Sequence, residues 1–162
     1  MTVTWCQSIA NHVKVEIQRT MKRHELRARA VQAVYQMDVG QVAAVEAVSH
    51  VLEGDESALL TGQREFVTRL VQGVGFHTDE LDELITHHVT GWRLDRIAKV
   101  DLAVLRLALY ELLFEAQTDV ATIMDEAVEL AKQYSTEESG RFINGALAKL
   151  LPVIKERRTN GE

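Results

Sequence analysis

The chain has 162 residues, with 18 Lys+Arg, 24 Asp+Glu, one Pro, one Cys and 9 Gly, a length that suits one globular domain or two small ones sharing a core. No apolar run approaches the roughly 20 residues of a membrane helix, one Cys excludes an internal disulfide and a thiolate zinc cluster, and scarce Pro with abundant Ala, Leu, Val and Glu favours helix. The formal net charge of −6, taken over the whole chain, argues against a nucleic-acid binder.

Met1 to Thr20 read poorly as part of a fold. They lack the charged and apolar regions of a secretory signal, although Trp5, Ile9 and Val13 fall at helical spacing. Residues 1–20 are expected to be an extension outside the native fold, with the working protein beginning at Met21; mass spectrometry of the native N-terminus tests this. The charge is segregated along the chain. Residues 1–29 hold six basic and two acidic side chains, a balance of +4; residues 30–153 balance at −11 and residues 154–162 at +1. An acidic body with a basic N-terminal arm is a hint of an anionic partner docking at one end. A solvated helix start is the competing reading.

The first helix is predicted from about Arg23 to Met37. Leu26, Ala30, Ala33, Val34 and Met37 line one face, with Arg23, Arg27 and Arg29 largely off it. Gly40 is a stop. A shorter helix over Val42–Glu53 turns Val45, Val48 and Leu52 inward, and Gly54-Asp55-Glu56-Ser57 reads as a loop. From Gln63 to His88, Phe66, Leu70, Val74, Leu81, Leu84 and Ile85 keep one phase across Gly73 and Gly75, which predicts one long helix with a bend near those glycines. Gly91 ends it.

Leu94–Lys99 reads as a short helical turn, with Asp101 as N-cap of the next helix. Leu102 to Phe114 is apolar on nearly every side and should be the centre of the C-terminal core. Thr122 to Tyr134 presents Ile123, Ala127, Leu130, Ala131 and Tyr134 inward. Ser135 and Glu138 fit a capping box, and the last helix runs to about Leu151, where Pro152 stops its regular continuation. No segment shows strand alternation. The expected architecture is all-α: about seven helices in two packed bundles, about 21–90 and 91–152, with a tail over 153–162.

Catalytic motifs are missing. Gly73-Val74-Gly75 lies in a helix pattern and lacks the Lys-Ser/Thr of a phosphate loop. His77, Asp79, Glu80, Glu83, His87 and His88 are the best metal candidates, but the HExxH pattern is absent. Neither catalysis nor a cofactor has a positive argument. Nucleic-acid binding does. Lys22, Arg23, Arg27 and Arg29 crowd a helix start, where cations oppose the helix dipole. Arg23 and Arg27 are one turn apart, suited to gripping phosphates or stacking on unpaired bases. A second cluster, Glu138-Ser139-Gly140-Arg141-Phe142-Ile143-Asn144-Gly145, places two glycines in a helix start. There Phe142 could stack on a base and Asn144 read an edge. Core packing of Phe142, with Asn144 buried, is the reading the residues alone favour.

These residues carry a family resemblance. Arg27-Ala28-Arg29-Ala30-Val31-Gln32-Ala33-Val34-Tyr35-Gln36 resembles the opening helix of NusB, the bacterial transcription antitermination factor. Trp92-Arg93-Leu94-Asp95-Arg96-Ile97, then Asp101 and Leu105-Arg106-Leu107-Ala108-Leu109-Tyr110-Glu111-Leu112, resembles its central signature. Asp125 to Lys132, Ser139 and Phe142-Ile143-Asn144-Gly145 complete the match over about Met21 to Pro152. The resemblance implies a cytoplasmic, non-catalytic RNA-binding adaptor. It would pair with NusE, a small-subunit ribosomal protein, bind single-stranded boxA RNA, notably in ribosomal RNA leaders, and join elongating RNA polymerase with other Nus factors.

By the same resemblance, Arg23 and Arg27 with neighbouring Lys22 and Arg29, then Gln32 and Tyr35, and finally Glu138, Arg141, Phe142 and Asn144, would face RNA. His24 and Glu25 interrupt the denser arginine run of some relatives. For the NusE surface, Tyr110 and Glu111 are the candidates, with core packing and a structural hydrogen bond as the alternative. Self-association stays open. Two rival functions are an accessory RNA-binding domain of a ribosomal RNA cytosine methyltransferase, which would need a following catalytic domain, and a purely protein-binding helical scaffold.

Overall fold

Helix dominates because every apolar stripe in the sequence repeats at three to four residues. The computed structural model describes residues 21–55, 59, 61–89, 91 and 93–160. The expectations for residues 1–20, including the Trp5/Ile9/Val13 stripe, and for Glu56, Ser57 and Trp92 lie outside these described residues. Among them are six α-helices: α1 (Arg23–Val39), α2 (Ala44–Leu52), α3 (Thr61–His88), α4 (Lys99–Phe114), α5 (Val120–Tyr134) and α6 (Glu137–Asn160), with a 3-10 turn at Leu94–Arg96 between α3 and α4. No strand occurs among the described residues, and none of their helices is long and apolar enough to cross a membrane.

The core is built around α4, which is buried along its whole length from Asp101 to Leu112. It packs against α1 and α3 on one side and α5 and α6 on the other, so it is the centre of the molecule and not only of its C-terminal half. Such a helix must be apolar on most sides, which is what Leu102 to Leu112 supply. The close contact of α3 and α4 depends on Gly73. A Cβ there would lie 2.1 Å from Cζ of Tyr110, so the glycine that weakens α3 locally is what lets the ring of Tyr110 lie against its backbone.

Several boundaries differ from the sequence expectation. Val45 is 64% exposed; the inward face of α2 is Ala47, Val48, Val51 and Leu52. Asp101 is not a cap, since α4 begins at Lys99, and its carboxylate instead takes a hydrogen bond from the Ser139 hydroxyl at 3.0 Å. The cap of α6 is Thr136, one residue after the expected Ser135: its Oγ1 accepts the Ser139 backbone N–H at 3.0 Å.

Pro152 does not end α6, which continues to Asn160, so residues 153–160 are helix and not tail. A proline inside a helix loses one backbone hydrogen bond and crowds the preceding turn. Contacts beyond it offset that cost. Ile154 is fully buried, Arg157 pairs with Glu80, and Arg158 donates to the carbonyls of Leu112 at 2.6 Å and Thr118 at 3.2 Å. Those carbonyls belong to the end of α4 and the loop after it, so Arg158 supplies partners that the helix terminus leaves open.

Candidate nucleic-acid interface

The described part of the basic arm is formed by the first turns of α1 and the residues just before it. Lys22 stands at its N-cap with no side-chain cap hydrogen bond, and although Glu25 of the first turn suits the dipole, Lys22 and Arg23 oppose it. Among the described basic residues of the arm, Lys22 and Arg23 are the exposed ones. Arg23 lays its guanidinium over the Phe66 ring, 3.9 Å from the centroid, a cation–π contact that orients it without neutralising it. Arg29 is half-buried and pairs with Asp55 at 2.7 Å.

Arg27 is a correction to the sequence reading. It is 5% exposed, and its Nε lies 3.1 Å from both carboxylate oxygens of Glu111. Its place on α1 is therefore inside, between Leu26 and Ala30 on the buried face. Burial pushes the Glu111 carboxyl up, and the charge and hydrogen bond of Arg27 act against that shift. One Nε–H is shared between the two oxygens, a charge-assisted contact that favours the carboxylate form beside the guanidinium. Tyr110 and Glu111, 8% and 2% exposed, are likewise core residues, Tyr110 reaching only the floor of a groove along α3. The Tyr110 phenol is raised by burial first.

The remaining candidates lie on one continuous strip. Gln32 donates from Nε2 to the Tyr134 hydroxyl at 2.9 Å, which ties the middle of α1 to the end of α5. Nearer the start of α1, His24 meets Glu126 of α5 at 2.6 Å and Gln133 at 3.1 Å. The hydrogen bond that His24 donates to Glu126 raises the His24 pKa above its ordinary value. Tyr35, one turn beyond Gln32, is exposed, and Asp38 after it binds Lys99 and Arg106 of α4 at 3.6 and 3.5 Å. Arg106 also grips Asp82 of α3 through two hydrogen bonds of 2.8 Å. The far end of α1 is thus pinned to α3 and α4, and Tyr35 is held in place.

From Tyr134 the chain turns through Ser135 and Thr136 into α6. Glu138, Arg141 and Asn144 are exposed there and Phe142 is half-buried, so Asn144 is not the buried core residue that the residues alone favoured. Phe142 forms one wall of a cleft of about 250 Å³ shared with Arg96, Ile97, Asp101, Thr136 and Glu138. The Ser139 hydroxyl sits behind it, 2.8 Å from that of Ser135 and bonded to Asp101 Oδ2. Asp101 Oδ1 accepts no hydrogen bond from the described protein.

Sequence reasoning missed Arg96 and Asp101 as cleft residues; the signal available was their place in the central signature. A Cβ on Gly145 would meet nothing within 4 Å, so packing within the chain does not require glycine at that position. The metal candidates do not converge. His77 stacks on Phe114 at 4.2 Å, His87 bonds the Glu83 carbonyl, and among the described residues no three His, Cys, Asp or Glu are grouped to hold an ion.

Comparison with known proteins bears on this arrangement. The model of the NusB family matches residues 24–152. The transcription antitermination protein NusB of Bacillus subtilis (strain 168) is 40% identical over 136 residues, covering 84% of this chain and 99% of its own. That of Halalkalibacterium halodurans is 44% identical over 138 residues, covering 85% and 98%. Among solved structures, NusB of T. maritima superposes with a TM-score of 0.72 at 33% identity, over 81% of this chain and 91% of that one. A chain from the crystal structure of antitermination factors NusB and NusE in complex with dsRNA gives 0.72 at 27% identity, over 82% and 99%. With this share of the chain matched by family model, sequence and fold alike, the protein belongs to the NusB family.

Proposed function

We propose that the protein is an RNA-binding transcription antitermination factor that works as an adaptor and not as an enzyme. It binds boxA RNA together with the ribosomal protein NusE and, on an elongating RNA polymerase with other Nus factors, promotes processive transcription, notably of ribosomal RNA operons. The observation that carries this reading is the strip from Gln32 through the end of α5 to the start of α6, with Lys22 and Arg23 exposed at the start of α1. Together they offer cations, hydrogen-bonding groups, the exposed Tyr35 ring and the half-buried Phe142 ring, the combination that single-stranded RNA requires. Solved NusB-like chains in complexes with NusE and with RNA support the partner classes.

Each residue has a distinct task in this reading. Lys22 and Arg23 meet phosphates. Tyr35 and Phe142 offer ring faces to unstacked bases. Gln32, Asn144 and Arg141 supply hydrogen bonds, and an N–H of a base entering beside Phe142 would find Asp101 as acceptor. Glu138 rejects a phosphate at the mouth of the cleft and favours a base edge with donors. Arg27 acts from beneath, by holding α1 to α4. Because Tyr110 and Glu111 lie largely inside, the reading places the main NusE contacts on other residues. A gel shift with boxA RNA, with and without NusE, tests the whole reading: an RNA-dependent complex strengthened by NusE is expected. No complex with either would overturn it in favour of a protein-binding scaffold.

A further inference from the structure

The exposed aromatic residue that this strip leaves unused is Phe76, on α3. It is 86% exposed, far more than any other large apolar side chain among the described residues. Its ring is braced edge-on by His77, with centroids 5.1 Å apart at 76°, and His77 in turn stacks on Phe114 at 4.2 Å. The bracing leaves the face of Phe76 open. Phe76 closes one end of an open groove of about 750 Å³ that runs back along α3 past Gln72, Arg69 and Thr68 to Arg64. Arg64, Thr68, Gln72 and Phe76 are four residues apart and form a single stripe, about 18 Å long at 1.5 Å per residue.

The near end of that stripe joins the basic arm. Gln63 donates to the Met21 carbonyl at 2.8 Å, so Arg64 begins where Lys22 and Arg23 stand. Phe66 carries Arg23 at 3.9 Å and Arg69 at 5.6 Å over one ring, joining cations of α1 and α3 in one patch. Glu65 and Glu115 are the opposing charges. Arg69 pairs with Glu115 at 2.7 Å, but while Glu115 is 17% exposed Arg69 is 55% exposed, so its guanidinium can meet a phosphate without leaving that pair.

We propose that single-stranded RNA leaving the Lys22–Arg23 end continues across α3, with phosphates on Arg64 and Arg69 and a base stacked on Phe76. The groove is a second binding segment, read without sequence preference because every base has a face to stack. It rests on the RNA-binding function proposed above and lengthens the bound tract by a few nucleotides.

The test compares a boxA RNA with the same RNA lengthened by four unpaired nucleotides at either end, by fluorescence anisotropy with NusE present. One of the longer RNAs should bind the unaltered protein about tenfold more tightly than the short one. Phe76→Ser should abolish that gain and leave the short RNA's affinity unchanged; because the ring is exposed, the fold is not at risk. Arg64→Ala with Arg69→Ala should lower the salt slope for the longer RNA only, by about 1.4 for two phosphates. Equal affinity for all three RNAs, or a gain that survives Phe76→Ser, overturns the proposal. If Phe76→Ser spares RNA but abolishes binding of NusE, the groove is a protein site and the proposal fails. If the unaltered protein binds no RNA of any length, the functional reading itself has failed.

Discussion

The starts of α1 and α6 both carry polar clusters, and the fold uses them in opposite ways. At the start of α1 most of the charge is consumed internally. Arg27 is buried against Glu111, Arg29 is tied to Asp55, His24 to Glu126, and Arg23 leans on Phe66. At the start of α6 the internal work is done by small hydroxyls, Ser135, Thr136 and Ser139, and the long side chains of Glu138 and Arg141 are left on the surface. Counting cations along a sequence therefore overstates what α1 offers a phosphate, while the sparsely charged α6 start offers nearly all it has.

The sharpest way to break this comparison is at Arg27. If it is structural, Arg27→Ala leaves Glu111 as an unpaired buried carboxylate and should cost about 3–5 kcal/mol of stability, read from urea unfolding. The salt slope of RNA binding by the remaining folded protein should not change, because no phosphate contact is lost. A variant of normal stability with a shallower slope would return Arg27 to the RNA face.

The next effect separates the two ends by binding. Phe142→Ala should weaken RNA binding by about 1–3 kcal/mol, the range for one stacked base, with little change in salt dependence. Arg23→Ala should weaken it less but reduce the salt slope by about 0.7 for one single-strand phosphate. Isothermal titration at three salt concentrations distinguishes them. Equal slopes for both variants would mean that the two ends do not divide the work in this way.

These contrasts also mark how far the sequence could be read. The all-helical fold, the long α3 through its glycines and the all-round apolar α4 were legible because periodicity and composition report burial directly. What periodicity cannot report is which polar residue is buried with a distant partner. Arg27 and Glu111 are 84 positions apart, and Arg27 fell off the apolar stripe only because it is charged. Pro152 misled for a related reason: its local cost is visible in sequence, whereas the contacts of Arg157 and Arg158 that outweigh it are long-range. Asn144, which the motif's residues without the resemblance placed inside, lies outside. The candidate strip was named through the resemblance, and the continuity between Gln32 and Tyr134 needed three dimensions.

Gly145 sharpens the α6 side. Its Cβ position is open, so Gly145→Ala should stabilise an exposed helix interior by about 0.5–1 kcal/mol. If the open space is where RNA backbone approaches, the same change should weaken RNA binding several-fold. Thermal melting and anisotropy on one sample read both. A variant that is more stable and binds RNA as well as before would show that glycine there serves neither packing nor ligand.

The smallest effect belongs to His24 on the α1 side. Its pKa is raised, first by the hydrogen bond to Glu126, against an opposing contribution from desolvation, with Gln133 and Glu129 adding to the rise. A histidine whose folded pKa exceeds the unfolded one contributes stability that is complete below about pH 6.5 and disappears as pH rises through the folded value. The pair is partly exposed, His24 by 37% and Glu126 by 26%, so solvent screening keeps the increment below about 1 kcal/mol. His24→Gln should keep a hydrogen bond to α5 and erase only the pH-dependent part. Its stability, measured between pH 5.5 and 8, should therefore converge on that of the unaltered protein at the upper end and fall short of it at the lower. The opposite trend would mean that His24 is neutral in its bridge to Glu126, and that the start of α1 is held by packing and not by charge.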